Sequence, residues 1–461
     1  MLRRAALRGG AFLAARHSLS LVIHLAGVTL LTKAIGPDAY GRYVGALGVQ
    51  TYLYQVAQLG LIVFLIRDAG EVGDKEFDQA FSLLAAVGIA VAFAVYTGLS
   101  LVEGWIGIQA FVPVGRALVL VLPVQLLGLV AMGRLERALD YTAVAPAELA
   151  GYVMFYAVAL PLARAGFGMW APVAGYWAQQ LLLAAMLFRG ARYRPHFCWD
   201  PPLIREMLSY GVRYSGANWI WQMRELINPV IVGRLAGPTA VAFVALTVRL
   251  VDALSFLKGI GWRISIAVFG RLQSDSVRML RALNDGMRLQ VLSLGVVLTG
   301  FGFAAPWVIP RLFGQQWALV TAIYPFIALD YLTYSMFQLE TSMLNVVKLT
   351  RSVAEFHLLH LALFASATAV LVPRLGAIGY GWAAVVAHLG YIWLHVQVKR
   401  LTGSPDYRLA GLWWAAFVGL LFWRQLGWYC LIGPTLALLW PETTREFRNY
   451  VVSFANLRHA E

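Results

Sequence analysis

Apolar residues run in long blocks along nearly the whole chain, and a helix that crosses a bilayer needs about 20 of them. Fourteen such blocks can be marked: 12–35, 41–66, 79–102, 110–133, 143–163, 168–189, 207–235, 239–268, 287–311, 316–345, 352–373, 377–400, 409–423 and 426–440. The last two hold 15 residues each and are expected to tilt little, to thin the bilayer or to form a hairpin. The pattern predicts an all-α polytopic membrane protein with fourteen transmembrane helices, twelve of full length and two short.

Two adjacent blocks break the pattern. Arg213, Arg224, Glu225, Arg249, Asp252, Lys258 and Arg263 all fall between residues 207 and 268, inside stretches long enough to span. A charge at the centre of an isolated membrane helix costs roughly 2.5–3.5 kcal/mol even on the lenient insertion scale. These seven groups therefore do not face lipid; they line a wet cavity, pair with one another, or both. Five are cations and two are anions, a surplus of +3.

The remaining Lys and Arg fall unevenly on the two sides of the predicted spans, 24 on the side of both termini and 8 on the other. Cytoplasmic loops collect basic residues, which places both termini in the cytoplasm. That asymmetry also explains the net charge of +14 without nucleic acid as a partner. Charged residues are 13% of the chain, half the ~25% of a soluble domain. Cys198 and Cys430 are far apart and lack metal-ligand spacing. The basic N-terminal stretch runs on past the length of a signal h-region with no small-residue cleavage site, and reads as a retained first helix.

An internal repeat organises these elements. Lys33-Ala34-Ile35-Gly36-Pro37-Asp38-Ala39 matches Arg234-Leu235-Ala236-Gly237-Pro238-Thr239-Ala240 at an offset of 201, and Arg164-Ala165-Gly166 matches Arg374-Leu375-Gly376 at an offset of 210. The matches occupy equivalent positions in two sets of six spans. Six is even, so the halves share one orientation, as two six-helix bundles related by a pseudo-two-fold axis along the membrane normal. The expected divisions are an N-terminal lobe over 1–189, a polar, basic, Pro-rich linker over 190–206, a C-terminal lobe over 207–400, and two extra short spans with a tail over 401–461. Residues 274–288 read as a basic amphipathic helix at the membrane surface, with ordinary interfacial packing preferred to a lipid-headgroup contact.

At 100° per residue, Arg213, Arg224 and Asn228 fall within about 60° of one another on the seventh span, with Trp221 beside them. On the eighth, Arg249, Asp252, Phe256 and Arg263 share a face from which Lys258 points away. Further polar stripes are Arg16, Ser20, His24 and Gly27 on the first span, and Tyr43, Gln50, Tyr54 and Gln58 on the second. Asp330, Tyr334, Gln338, Thr341 and Asn345 form another on the tenth. Such stripes suit a central cavity, although each residue alone also suits an interhelical hydrogen bond or ion pair. His357, His360, His388 and His395 read as interhelical hydrogen-bonding or interfacial residues rather than ligands. The chain carries no Walker A pattern, G-x-S-x-G, H-E-x-x-H or Gly-rich cofactor turn, and its polar loops are too short for a catalytic domain. The reading is a transporter, with no enzymatic activity, no cofactor and no metal.

Residues 30–68, with Gly36, Pro37, Tyr40, Gly41, Tyr43, Gly60, Leu61 and Arg67, resemble the opening two helices of Wzx-type polysaccharide flippases. These belong to the multidrug/oligosaccharidyl-lipid/polysaccharide (MOP) exporter superfamily. The stretch 232–252, then Val268-Phe269-Gly270-Arg271 and Arg311-Leu312-Phe313-Gly314, is similar to the family's later helices. It departs from them at Ala242, Phe243 and Val244, where Gly-x-Tyr is frequent, and at Glu225, where Asp is common. The resemblance implies a MATE-like fold in the bacterial inner membrane. It also implies transfer of undecaprenyl-diphosphate-linked oligosaccharide from the cytoplasmic to the periplasmic leaflet for O-antigen, capsule or exopolysaccharide assembly. Membrane lipids and a polysaccharide polymerase or export machinery would be its partners. On that reading Arg213, Arg224 and Arg249 hold the diphosphate and acidic sugars, with Arg263, Arg16, His24, Asn228, Gln50 and Tyr54 completing the substrate site. Glu225, Asp252 and Asp330 balance charge or bind a coupling H+ or Na+. The competing reading is a cation-coupled drug antiporter of the same superfamily, against which the +3 surplus argues because cationic substrates need uncompensated carboxylates.

Overall fold

The computed structural model describes residues 2–67, 73–106 and 111–448, with side chains from Leu19 onward apart from those of Leu21, Arg67, 102–106 and Ala217. Among the described residues all regular structure is helical. The helices are α1 (Leu2–Ala57), α2 (Leu61–Arg67), α3 (Asp74–Ile106), α4 (Phe111–Val119), α5 (Leu122–Arg137), α6 (Tyr141–Arg164), α7 (Trp170–Ala191), α8 (Pro201–Gln222) and α9 (Gly233–Leu254). They continue with α10 (Phe256–Leu272), α11 (Ser276–Phe313), α12 (Val320–Val346), α13 (Thr350–Leu375), α14 (Ala377–Ala387), α15 (Tyr391–Thr402), α16 (Arg408–Leu421), α17 (Trp423–Leu426) and α18 (Ile432–Leu439).

Among the described residues each of the fourteen apolar blocks is mostly helical, but blocks and helices do not correspond one to one. Among the described residues eight helices are long and apolar enough to cross a membrane, or nine if the pair Arg408–Leu421 and Trp423–Leu439, bent by 73°, forms one span. α12 shows why fourteen is not reached by this measure: it has 27 residues, but Asp330, Glu340 and a run of hydroxyl side chains lower its hydropathy. The basic stretch 274–288 is no separate surface helix. From Ser276 on it is continuous with α11, which runs unbroken for 38 residues.

The chain packs as two compact units, Met1–Ala245 with Leu312–Trp317 and Val372–Ala377, and Leu246–Arg311 with Ala318–Leu371 and Ile378–Glu461. In the first unit the two repeated Gly-Pro turns adopt the same backbone, Gly36 at φ 75°, ψ 172° and Gly237 at φ 78°, ψ 178°. That region is essentially open only to glycine. Each turn kinks a helix whose next residue, a proline, sits well at a helix start. The resemblance motif is thus a packing device. Tyr40 is fully buried with its ring edge-on to Trp317 at 5.8 Å, and Leu61 is fully buried. Gly41 lies so close to Pro238 that a Cβ would fall 1.8 Å from the Pro238 carbonyl oxygen, and a Cβ on Gly60 would fall 2.5 Å from that of Gly211.

The predicted linker is shorter than expected and is strapped down. Asp200-Pro201-Pro202 is a helix start, with Asp200 Oδ1 accepting from the Leu203 N–H (3.3 Å), so α8 begins inside the expected linker. Over 193–200 the chain lies along the first turns of α3. Tyr193 Oη donates to Asp78 Oδ1 (2.7 Å), as does the His196 N–H (3.1 Å). The Cys198 N–H donates to Ser82 Oγ (3.0 Å), and the Asp200 N–H donates to Gln79 Oε1 (2.6 Å). Burial and the neighbouring Asp78 hold the Tyr193 hydroxyl protonated far above the ordinary phenol range. Hydrogen bonds from Lys75 and the Leu203 N–H hold the Asp200 carboxyl below its usual range. The Asp200 anchor is therefore intact at neutral pH and is lost as pH falls through that lowered pKa. Tyr193→Phe leaves the buried Asp78 short of a donor and should cost about 2 kcal/mol. The checks are a lower thermal midpoint in detergent and faster tryptic cleavage after Arg192; unchanged cleavage would show that the strap is held by other contacts.

Candidate functional site

In the first unit the charged stretch coincides with irregular backbone. α8 ends at Gln222, tightens into a 3₁₀ turn over Met223–Leu226, widens into a π turn over Ile227–Val232, and resumes as α9. Pro229 lacks the N–H that a regular helix would use there, and wide turns of this kind occur where helices serve a site. The turn is packed from behind: a Cβ on Gly48 of α1 would lie 3.2 Å from Pro229 Cγ. Asn228 Nδ2 donates to the Val241 carbonyl (3.2 Å) and ties the turn to α9, while Trp219 Nε1 donates to the Gln55 carbonyl (3.2 Å). The Arg224 guanidinium stacks on Trp221 at 4.3 Å from the ring centroid. Arg213 and Glu225 are exposed. Because 3₁₀ and π turns advance by other angles than 100°, the shared face expected for Arg213, Arg224 and Asn228 does not follow from the sequence spacing.

The other described first-unit candidates have partners of their own. Gln50 is 2% exposed and closed in a triangle with Gln125 and Tyr176. Its Nε2 donates to Gln125 Oε1, Gln125 Nε2 donates to Tyr176 Oη (2.8 Å), and Tyr176 Oη donates back to Gln50 Oε1 (3.2 Å). Tyr54 packs half-buried against the core of α2, α3 and α5. His24 is exposed, with Nδ1 3.3 Å from Tyr156 Oη and its ring edge-on to Tyr152. The Arg16 side chain lies outside the described residues.

In the second unit the helix breaks at Ser255, between α9 and α10. This overturns the expected orientation of Lys258. The break resets the helical phase, so that Lys258 Nζ comes within 3.7 Å of Asp252 Oδ1 instead of pointing away from it. The ammonium also lies 4.1 Å from the Tyr331 ring centroid and 5.5 Å from that of Tyr334, a cation over two π faces. Gln338 Nε2 reaches the Lys258 carbonyl at 3.5 Å. Arg249 and Arg263 are exposed. Asp330 is 6% exposed and faces His388 Nε2 at 3.2 Å, an interhelical pair between α12 and the turn that joins α14 to α15.

The second unit also holds a cavity of about 620 Å³ between α12, α15 and α16, walled by Met336, Phe337, Ile392 and Trp414, with Thr333, His388, His395 and Tyr407 as its polar lining. Behind it Glu340 is fully buried and accepts a hydrogen bond from Tyr407 Oη (2.6 Å), while His395 Nδ1 lies 2.9 Å from the same oxygen. Glu340, His395 and Tyr407 were not among the residues assigned to a site from sequence. The signal was present: a Glu inside a 30-residue apolar block is functional by default in a membrane protein.

Chemically, the exposed and stacked arginines are donors for phosphate and carboxylate, which guanidinium binds with two parallel hydrogen bonds. Among the described residues no group of three or more His, Cys, Asp and Glu stands close enough to hold a metal ion.

A family model described as polysaccharide biosynthesis protein matches residues 30–322. The succinoglycan biosynthesis transport protein ExoT of Rhizobium meliloti (strain 1021) is 23% identical over 311 residues, 66% of this chain and 61% of that protein. The amylovoran biosynthesis protein AmsL of Erwinia amylovora is 24% identical over 165 residues, 35% of this chain and 42% of that protein. The chain thus spans less than two thirds of the length of either relative. Among solved structures, the lipid II flippase MurJ in an inward closed conformation superposes with a TM-score of 0.76 at 12% identity, over 95% of this chain and 99% of that one. An inward-facing MATE family multidrug transporter of the MOP superfamily gives 0.65 at 13% identity, over 84% and 98%. These likenesses establish the MATE-like all-α membrane fold. The family match covers more than half of the chain, which belongs to the polysaccharide biosynthesis protein family.

Proposed function

We propose that the protein is a flippase for lipid-linked oligosaccharide, moving undecaprenyl-diphosphate-linked glycan from the cytoplasmic to the periplasmic leaflet of a bacterial inner membrane. It would work by alternating access between lobes 1–189 and 207–400, with both termini in the cytoplasm. The observation that carries this reading is the surplus of cations in the apolar blocks 207–235 and 239–268, Arg213, Arg224, Arg249, Lys258 and Arg263, of which Arg224 and Arg249 lie within the membrane-length helical stretch Asn218–Leu254. A diphosphate entering the membrane needs such partners. Arg224 in the first unit, on the irregular turn, and Arg249 in the second are each proposed as diphosphate contacts, with Glu225, Asp252 and Asp330 proposed to balance charge or bind a coupling ion. The relatives named for transport in succinoglycan biosynthesis and for amylovoran biosynthesis, and the structural likeness to a lipid II flippase, support the same substrate class.

The test is reconstitution into vesicles that carry a fluorescent diphosphate-linked glycolipid in one leaflet. The protein should speed its appearance in the other leaflet, and the same lipid with a single phosphate should move more slowly. Equal rates in protein-free vesicles would overturn this reading, and transport of cationic dyes in place of the glycolipid would replace it with the antiporter.

A further inference from the structure

Glu340 is the most deeply enclosed acid on α12, 0% exposed, and its two oxygens differ. Oε1 accepts from Tyr407 Oη, whereas Oε2 is buried without a hydrogen-bond partner among the described residues. Burying a polar atom unpaired is costly, and natural proteins keep such atoms where a role maintains them. From Glu340 the hydrogen bonds lead outward through Tyr407 to His395, and both of these line the 620 Å³ cavity. A sealed carboxyl group is thus wired to an accessible space by a phenol and an imidazole, the side chains suited to passing a proton. A hard cation such as Na+ wants several oxygen ligands, and this set offers one carboxylate beside an imidazole.

We propose that Glu340, Tyr407 and His395 form a proton-binding site that couples the second unit to a proton gradient. The coupling rests on the flippase reading above; the proton site does not. The relay starts with Tyr407 O–H donating to Glu340 Oε1 and His395 Nδ1–H donating to the Tyr407 oxygen. A proton from the cavity adds to His395 Nε2, the Nδ1 proton passes to the Tyr407 oxygen, and the Tyr407 proton passes to Glu340. One proton enters, Glu340 becomes the neutral acid, and the imidazole ends neutral as the other tautomer.

The charged and titratable groups packed around the site are engaged elsewhere. On α12, Asp330 faces His388. On α10, Lys258 pairs with Asp252. On α11, where Gly286 packs on Leu339, Arg288 binds Asp406 (2.8 Å) and Glu446 (3.0 Å) and lies 4.0 Å from Asp285. Tyr391 stacks on Phe337 and faces His360 of α13. This leaves Glu340 as the carboxyl group served by the relay.

Infrared spectra of the purified full-length protein in lipid nanodiscs, titrated from acid to alkaline pH, read the site directly. A carboxylic-acid C=O band should be lost on alkalinisation, be absent from Glu340→Gln, persist in Asp330→Asn, and shift in Tyr407→Phe, which removes its hydrogen bond. A band that survives in Glu340→Gln, or that never titrates, overturns the proton site. Coupling is read in vesicles with and without an imposed proton gradient. Wild type should move the diphosphate glycolipid faster with the gradient, and Glu340→Gln should move it at the wild-type no-gradient rate under both conditions. A full gradient response in Glu340→Gln overturns the coupling. If wild type moves no glycolipid, the flippase reading fails, and the infrared result still decides the proton site.

Discussion

Gly41→Ala is expected to leave little folded protein in the membrane. Its Cβ would sit 1.8 Å from the carbonyl oxygen and 2.5 Å from the carbonyl carbon of Pro238, both backbone atoms of the second repeat's turn. A clashing side-chain tip can rotate away; here α1 and the start of α9 would have to separate. Membrane helices depend on such approaches, because lipid supplies no hydrophobic drive between helices and close packing must hold them together. Overpacking costs about 1–3 kcal/mol when side chains absorb it, and this change should lie at or beyond the top of that range. Two backbones rather than side chains must give way, so the cost should reach about 5 kcal/mol, the low end of the roughly 5–15 kcal/mol of total stability, where most of the folded population of a marginal protein is lost. Size-exclusion profiles of a fluorescent fusion in detergent should show Gly41→Ala largely aggregated. Gly98→Ala on α3, where a Cβ meets nothing within 4 Å, should run like wild type. Identical profiles for the two variants would mean that the turns are free to separate.

That close approach also shows how much could be read from the chain alone. The Gly36-Pro37 and Gly237-Pro238 turns stand out as a repeat, and their backbone angles agree within a few degrees. The residues that carry the family resemblance, Tyr40, Gly41, Gly60 and Leu61, prove to be where helices meet, since such sites tolerate few other side chains. Blocks of hydrophobicity locate helices well because the 20-residue requirement is set by the bilayer. Reading faces failed where helices are irregular. The break at Ser255 brought Lys258 round to Asp252, and the 3₁₀ and π turns around Arg224 removed the basis for its predicted stripe. The Glu340 relay was hidden for another reason. Tyr407 lies 67 residues beyond Glu340, outside any span, and no periodicity within one helix can pair them. Gln50, which looked like a substrate contact from its stripe, has its hydrogen bonds answered by Gln125 and Tyr176 on two other helices.

Arg224→Ala should abolish glycan export while the protein still inserts and runs as a single species. Arg224 sits on a 3₁₀ turn with its guanidinium over the Trp221 ring, and export is scored only once the variant is shown to insert and run as a single species. What is lost is a bidentate donor held flat against an aromatic ring. Truncating one partner of a charge-assisted contact costs about 2–5 kcal/mol. At 1.4 kcal/mol for each factor of ten, that is roughly a 30-fold to several-thousand-fold loss. Arg224→Lys separates charge from geometry. It keeps the cation but loses the planar fork, so export should fall between wild type and Arg224→Ala rather than return in full. Arg249→Ala is expected to act in the same direction from the second unit, and the double variant should export nothing measurable. The readout is surface glycan in cells lacking the endogenous protein, normalised to membrane-inserted variant. Trp221→Leu adds a check on the stacked pose: if the ring only fills space, Leu preserves export, and if it orients the guanidinium, export drops as it does in Arg224→Lys. Normal surface glycan from a well-folded Arg224→Ala, Arg249→Ala double variant would remove the arginines from the site. The exposed Arg213 and Arg263 would then be the cations left to meet the diphosphate.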